Sequence, residues 1–139
     1  MSEALANVTC VAIDGRAVLI SGEPGSGKSS LALALIDRGA VLVGDDGVTL
    51  EVRDGRVWAS PPANTAGLIE VRNVGLLTMP TASAPLALVI TLNAAAPRFI
   101  DQAETVDVAA QAVPAVSLWP GSPVLPLRAE IALKTYGLG

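Results

Sequence analysis

Residues 22–29 have the sequence GEPGSGKS, which we call the glycine-rich loop. The spacing G-x-x-x-x-G-K-S is the pattern of a phosphate-binding loop, whose backbone N–H groups converge on phosphate oxygens. Lys28 is then placed to reach the β- and γ-phosphates, and the Ser29 hydroxyl to bind Mg²⁺. The alternative is a strand–helix turn that binds nothing. We predict that the nucleotide contacts Gly22, Glu23, Pro24, Gly25, Ser26, Gly27, Lys28, Ser29 and Ser30.

Two adjacent acids could complete such a site. Asp45 and Asp46 follow residues 41–43, a short apolar run that is typical of a buried strand. A strand after the helix that follows the loop is expected to return beside the first strand, with its end near the loop. One acid could take a proton from an incoming hydroxyl while the other binds Mg²⁺. The alternative is a solvated Asp-Asp-Gly turn.

Glu70 and Arg72 form a second candidate pair. They lie two positions apart in a predicted strand over residues 68–72, so their side chains emerge on one face. Such a pair could serve Mg²⁺ and a phosphoryl oxygen, respectively. An exposed ion pair on an edge strand explains the spacing equally well.

The composition excludes several other kinds of site. The chain has no histidine and a single cysteine, Cys10. It therefore cannot build a Ser-His-Asp or Cys-His centre, a histidine metal site or an intrachain disulfide, and any general base must be a carboxylate. Cys10 lies in an apolar run and is predicted to be a core residue.

Charge and hydropathy narrow the class of partner. The net charge is −4, the only lysines are Lys28 and Lys134, and the arginines are scattered. We predict no nucleic-acid or membrane-surface binding, because there is no basic patch. No apolar run approaches ~20 residues, and the N-terminus lacks the positive start of a secretory signal, so a cytoplasmic location is predicted.

Two Asp-Gly turn signals organise the predicted fold. Asp14-Gly15 predicts a hairpin between residues 8–13 and 16–21, and Asp54-Gly55 one between residues 48–53 and 56–60. Hairpins interrupt the alternation of strands and helices and add antiparallel strands. We therefore predict an α/β fold with a mixed sheet and few helices. No linker or repeat divides residues 1–139, which predicts a single domain.

The remaining segments are predicted from their apolar patterns. Helices are predicted over residues 29–38 and 129–136, and further strands over residues 86–92, 116–119 and 124–127. Residues 101–112 are too polar and irregular to assign.

These segments together resemble the catalytic domain of HPr kinase/phosphorylase. The resemblance runs through residues 9–13, 17–36, 38–39 and 43–46, and through residues 68–75, which resemble the family's I-E-[IV]-R-G-x-G signature. It covers roughly half of the chain and is closest to short family members that lack the N-terminal domain of the longer ones.

The resemblance implies an activity and roles for the matching residues. It implies an α/β kinase domain, usually a homohexamer, that transfers phosphate from ATP with Mg²⁺ to a serine of the phosphocarrier HPr. That activity regulates the phosphotransferase system and carbon metabolism. By this resemblance Asp45 is the general base, Lys28 and Arg72 act on the phosphate, and Ser29, Asp46 and Glu70 serve the metal.

Three residue patterns depart from the family. Asn7 stands where longer members carry a histidine, and Asn73 replaces the signature glycine after Arg72. Residues 78–85 replace the family's flexible G-x-G-A-[VI]-R loop and contain no arginine. That loop is associated with reversible transfer, so its loss argues against phosphorylase activity.

Two alternatives to a protein kinase stay open. The departures are compatible with a nucleotide-binding regulatory module of the same fold that has lost phosphate transfer. A small-molecule kinase would need a lid with several arginines to exclude water, and the chain shows no such segment.

Overall fold

The computed structural model describes residues 2–139, which form eleven strands and two helices. In chain order the elements are β1 (Ser2–Ala6), β2 (Thr9–Ile13), β3 (Arg16–Gly22), α1 (Lys28–Asp37), β4 (Val41–Gly44), β5 (Gly47–Arg53), β6 (Arg56–Ser60), β7 (Leu68–Val71), β8 (Gly75–Thr78), β9 (Ala84–Leu92), β10 (Glu104–Val108), β11 (Gln111–Leu118) and α2 (Leu125–Tyr136). Neither helix has the length and apolar character needed to cross a membrane.

Strand β9 is the branch point of a nine-stranded mixed sheet. On one side it pairs in parallel with β3, which continues to β2 and β4. On the other side its first residues pair with β6, which leads to β5 and β1, and its last residues pair in parallel with β11, which leads to β10. Its almost wholly apolar sequence suits a strand that is covered on both faces.

Both predicted hairpins are confirmed. Strand β2 pairs antiparallel with β3, and β5 with β6. At both turns the Asp and the Gly have positive φ, 50° and 78° at Asp14-Gly15 and 52° and 75° at Asp54-Gly55. These values are typical of a type I′ turn, which requires positive φ at both positions, and Asp and Gly tolerate positive φ better than most residues. These hairpins make the sheet mixed, as predicted.

Side-chain alternation along β3 builds a hydrophobic core on each face of the sheet. Val18 and Ile20 lie in a core that α1 and α2 cover. Ala17 and Leu19 point the other way, into a second core with residues of β5 and β6. Because β3 is held on both faces, the end from which the glycine-rich loop departs is fixed in position.

Strand β4 does not lie beside β3, so that prediction is wrong. Strand β2 pairs with both of them and lies between them. The loop between β2 and β3 is only two residues long, so the hairpin closes before β4 can take the neighbouring place. Since β2 is antiparallel to both, β4 still runs in the direction of β3 and ends at the same edge of the sheet.

The second half of the chain contains one wrong prediction and several incomplete ones. The strand predicted over residues 124–127 is wrong, because α2 begins at Leu125 with a proline in its first turn. Proline is favoured there because its missing N–H has no partner to lose. The unassigned residues 101–112 include β10 and the start of β11, and the strand predicted over residues 116–119 is only the end of β11. The strand over residues 86–92 and the helix over residues 129–136 are confirmed within β9 and α2.

A separate two-stranded sheet, β7 with β8, packs near α1. It contains the strand predicted over residues 68–72, which ends at Val71, and a strand, β8, that was not predicted. The segment after β8 is fixed by backbone hydrogen bonds, from Met79 to the Gly67 carbonyl at 2.8 Å and from Ala82 to the Leu42 carbonyl at 3.0 Å.

Candidate active site

The glycine-rich loop connects the end of β3 to the first turn of α1. Its backbone turns back on itself, with the Ser26 amide donating to the Glu23 carbonyl at 3.0 Å. Gly22 is required on two counts: its φ is 153°, and a Cβ there would lie 2.6 Å from Ser26 Oγ and 3.2 Å from the Leu92 carbonyl oxygen. The loop therefore presses directly against the end of β9, and any side chain at Gly22 would displace it.

Lys28 lies across the mouth of this loop. Its Nζ donates to the Gly22 carbonyl at 2.9 Å and to the Glu23 carbonyl at 3.2 Å. These neutral acceptors leave the positive charge uncompensated, since Lys28 makes no salt bridge with residues 2–139. Together with the N-terminus of α1, this cation makes the mouth of the loop attractive to an anion.

Asp45, the first residue after β4, accepts hydrogen bonds from three different elements. Its Oδ1 accepts from Ser29 Oγ at 2.6 Å and from Thr9 Oγ1 at 3.1 Å. Its Oδ2 accepts from the backbone amide of Glu70 at 3.1 Å. These bonds fix the carboxylate at the start of α1, so Asp45 lies beside the glycine-rich loop although β4 is two strands away from β3.

Thr9 is a site residue that the sequence reasoning missed. It is the first residue of β2, only 1 % exposed, and no other polar or charged residue among residues 2–139 is as fully buried. A buried hydroxyl without a partner would be unfavourable, so a polar first residue in the otherwise apolar strand Thr-Cys-Val-Ala-Ile was the available signal. Its neighbour Cys10 is fully buried, as predicted, and burial raises the pKa of the Cys10 thiol far above its ordinary value.

Asp46, Glu70 and Arg72 lie around the same cleft but are exposed to solvent. Asp46 has a positive φ of 59°, and its carbonyl accepts the backbone amide of Asn7 at 3.2 Å. Glu70 and Arg72 do not pair with each other: the salt bridges within residues 2–139 are Arg38–Glu130 and Arg53–Glu51. The simple ion-pair explanation of their spacing therefore does not hold.

The cleft between the glycine-rich loop, the end of β4 and the β7–β8 sheet has a volume of about 530 Å³. Ten of the predicted site residues line it: Pro24, Gly25, Gly27, Lys28, Ser29, Ser30, Asp45, Asp46, Glu70 and Arg72. Three others do not: Gly22, Glu23 and Ser26. The Ser26 hydroxyl is buried and has no hydrogen-bond partner within residues 2–139. The unpredicted residues of the cleft wall are Thr9, Thr65, Leu68 and Leu76.

The oxygen ligands in the cleft are few. Residues 2–139 contain no group of three or more His, Cys, Asp or Glu residues arranged to hold a metal ion. The carboxylates that line the cleft are those of Asp45, Asp46 and Glu70, and the Ser29 hydroxyl lies beside Asp45. Hard oxygen donors in small number suit Mg²⁺, which keeps several waters and binds substrate phosphates alongside one or two carboxylates.

Known proteins are similar to this chain in sequence and in fold. The model of the HPr Serine kinase C-terminal domain family matches residues 2–111. The chain belongs to this family. A solved structure of the HPr(Ser) kinase/phosphatase from Coxiella burnetii is 28% identical, with a TM-score of 0.82, and the match covers 95% of this chain and 88% of that one. The predicted HPr kinase-like mixed α/β fold is thereby confirmed.

Curated relatives match over a shorter stretch. The HPr kinase/phosphorylase of Clostridium tetani is 44% identical over 71 residues, which are 51% of this chain and 23% of that protein. The HPr kinase/phosphorylase of Clostridium kluyveri is 48% identical over 63 residues, 45% of this chain and 20% of that protein. The matched stretch of this chain thus spans less than a quarter of these relatives' length, and their names identify them as enzymes.

Proposed function

We propose that this chain transfers the γ-phosphate of ATP to a serine of HPr in a reaction that needs Mg²⁺. The observation that carries the proposal is the position of Asp45, whose Oδ1 lies 2.6 Å from the hydroxyl of Ser29 at the start of α1. A carboxylate held beside a phosphate-binding loop is where an attacking hydroxyl must lose its proton. The same activity would regulate the phosphotransferase system and carbon metabolism.

Asp45 acts in this mechanism as the general base. Its Oδ1 already accepts two hydroxyl hydrogen bonds, whereas Oδ2 accepts only the Glu70 amide. Because a carboxylate oxygen can accept about two hydrogen bonds, Oδ2 retains capacity for the serine hydroxyl of the acceptor. The serine oxygen then attacks the γ-phosphorus as its proton passes to Asp45, the bond between the γ-phosphorus and the β,γ-bridging oxygen breaks, and ADP leaves with that oxygen.

Lys28 and Arg72 stabilise the charge on the transferred phosphoryl group. Lys28 would exchange its bonds to the two loop carbonyls for phosphate oxygens, which are charged and therefore stronger acceptors. Arg72 lies on another part of the cleft wall and makes no salt bridge within residues 2–139. Its guanidinium can bind two phosphoryl oxygens at once.

The residues that would hold Mg²⁺ are Ser29, Asp46 and Glu70, all of which line the cleft. Bound there, Mg²⁺ would neutralise charge on the β- and γ-phosphates. The surrounding chain orients these oxygens: α1 carries Ser29, the turn after β4 carries Asp46, and β7 carries Glu70.

The oligomeric state and the cellular location of the chain are further parts of the proposed function. We propose a homo-oligomer, a hexamer by family resemblance, and a cytoplasmic location, where ATP and HPr are available. Val74, in the turn between β7 and β8, and Leu76, on β8, are 71% and 65% exposed, and this apolar surface suits contact with another protein. A mass measurement in solution tests the oligomer.

A nucleotide-binding regulatory module without transfer is the second candidate. One observation favours it: Asn7, at the position where longer family members carry a histidine, bonds through its backbone to the Asp46 carbonyl at 3.2 Å. The residue beside the acid pair is therefore an amide, which cannot exchange a proton with its neighbours as an imidazole can. On this alternative ATP with Mg²⁺ would raise the melting temperature without turnover.

The test is a transfer assay with the purified chain, ATP, Mg²⁺ and HPr from the same source. We expect mass spectrometry to find one phosphate on a serine of HPr, and none when Mg²⁺ is chelated or that serine is replaced by alanine. A folded preparation that binds ATP but leaves HPr unlabelled would refute the kinase and favour the regulatory module.

A further inference from the structure

Strands β3, β9 and β11 run in parallel, so their carboxyl ends meet at one edge of the sheet. Gly22 at the end of β3 is paired with Leu92, and Leu92 is paired with Leu118 at the end of β11. Neighbouring strands lie about 4.8 Å apart, so the end of β11 is roughly 10 Å from the start of the glycine-rich loop. Ligands of open α/β sheets bind outside such carboxyl ends.

This edge carries two exposed aromatic side chains. Trp119, which follows β11 directly, is 50% exposed, and Phe99 is 77% exposed. Phe99 lies in residues 93–103, a segment that begins at the end of β9 and returns to the same edge at Glu104, which pairs with Ala115 of β11. The chain has only four aromatic residues, one Phe, two Trp and one Tyr. The exposure of two of them in the segments that follow β9 and β11 is unexplained by packing.

The local backbone holds Trp119 in place. A Cβ at Gly121 would lie 2.7 Å from the Trp119 ring, so the indole rests against glycine backbone that no other residue could supply. The adjacent loop is tied to β11 by the Asn93 amide, which donates to the Leu118 carbonyl at 3.0 Å. Trp119 is thus supported on one side and half open on the other.

The opposite side of the glycine-rich loop carries Asp45. Strand β4, which precedes Asp45, is also two strands from β3, with β2 between them. In phosphoryl transfer the attacking and leaving oxygens lie roughly in line. If Asp45 receives the acceptor, as in the function proposed above, the leaving nucleoside diphosphate extends toward β9 and β11.

On that proposed function we infer that Trp119 forms the subsite for the base of the nucleotide. The base would stack on the open part of the indole, a contact that every nucleobase can make.

The first experiment compares ATP with inorganic tripolyphosphate, which has no base, by calorimetry with Mg²⁺. Trp119→Ala should weaken ATP binding about 5- to 150-fold, the range for loss of one stacked base, and leave tripolyphosphate binding unchanged. Trp119→Phe should restore most of the ATP affinity, because it keeps an aromatic face. Trp58→Ala is the matched control, since Trp58 lies in β6 with Arg53 4.9 Å from its ring centroid.

A second measurement uses intrinsic fluorescence and keeps the fold intact. In Trp58→Phe, Trp119 is the one tryptophan left, and ATP should quench its emission while tripolyphosphate does not. Unchanged ATP affinity in Trp119→Ala, equal weakening of both ligands, or no quenching would each overturn the subsite but leave the proposed kinase standing. Failure of the unaltered chain to bind either ligand would overturn both.

Discussion

The strands on either side of the glycine-rich loop end in different chemistry. On one side β2 and β4 present Thr9 and Asp45, which share a hydrogen bond and hold the start of α1. On the other side β9 and β11 lead into segments that carry the exposed side chains of Phe99 and Trp119. Strands β4 and β11 each lie two strands from β3, and both end at the same sheet edge.

The two sides are suited to different tasks: one orients the reacting groups, and the other binds the nucleotide. A carboxylate with donors from three elements is positioned before any substrate arrives, which favours a chemical step that depends on its direction. An exposed aromatic surface gives sequence-tolerant contact area and needs no such precision. We call the side with Thr9 and Asp45 the acid flank and the side with Phe99 and Trp119 the aromatic flank. Substitutions on the acid flank are expected to change the rate of phosphate transfer, whereas those on the aromatic flank are expected to change nucleotide affinity.

Lys28→Ala should have the largest effect, because Lys28 lies at the centre and serves both flanks. We expect transfer to fall about 10²- to 10³-fold, as when one charge-stabilising donor is lost, and binding of both ATP and tripolyphosphate to weaken. Lys134→Ala, the chain's other lysine, exposed on α2, is the matched control and should leave both unchanged. Loss of transfer with unaltered binding would contradict the central position of Lys28.

Ser29→Ala tests the acid flank alone. It removes the hydroxyl that donates to Asp45 at 2.6 Å and that would bind Mg²⁺. A hydrogen bond to a charged group contributes about 1.5–3 kcal/mol, so transfer at limiting Mg²⁺ should fall at least about tenfold.

Ser83→Ala is the control for Ser29→Ala, since Ser83 is exposed and does not line the cleft. Kinetics measured across a Mg²⁺ titration should separate the two variants. Equal transfer rates of the two variants across the titration would show that the contact of Ser29 with Asp45 has no role in transfer.

The smallest effect is expected for the pH dependence of stability that Cys10 causes. It tests how completely β2 is buried beneath the acid flank. Burial raises the pKa of the Cys10 thiol, so the folded chain keeps the proton after the unfolded chain has released it. Stability is therefore fully present below the ordinary thiol pKa, about 8.5, and declines above it, by about 1.4 kcal/mol at pH 9.5. Denaturant unfolding of the unaltered chain should show this decline relative to Cys10→Ala, and parallel pH curves would contradict full burial.

Local turn chemistry made the first half of the fold predictable. The two Asp-Gly turns specify their hairpins because the required positive φ values suit those residues. The turn between β10 and β11 has the same positive φ, 49° and 64°, at Ala109 and Ala110, which carry no turn signal. The tertiary pairing of β11 with β9 imposes it, so the sequence could not reveal that hairpin.

The parts of the candidate site that a sequence motif defines could be predicted. The parts that depend on contacts across the sheet could not. The glycine-rich loop and the acid pair are continuous in sequence. Thr9 reaches Asp45 across 36 positions, through a strand insertion that the sequence did not predict. Strand β1 was missed because Ala and Glu have little preference for strands, and its pairing with β5 decides its conformation.

Asp45→Asn tests the central claim most directly, because asparagine keeps the size of the side chain and loses its ability to take a proton. We predict that phosphate transfer to HPr falls about 10²- to 10⁴-fold, while ATP affinity stays within about threefold because Asp45 does not bind phosphate. Asp54→Asn, in an exposed hairpin turn that tolerates asparagine, is the control and should transfer normally. Retained transfer in Asp45→Asn would contradict the account.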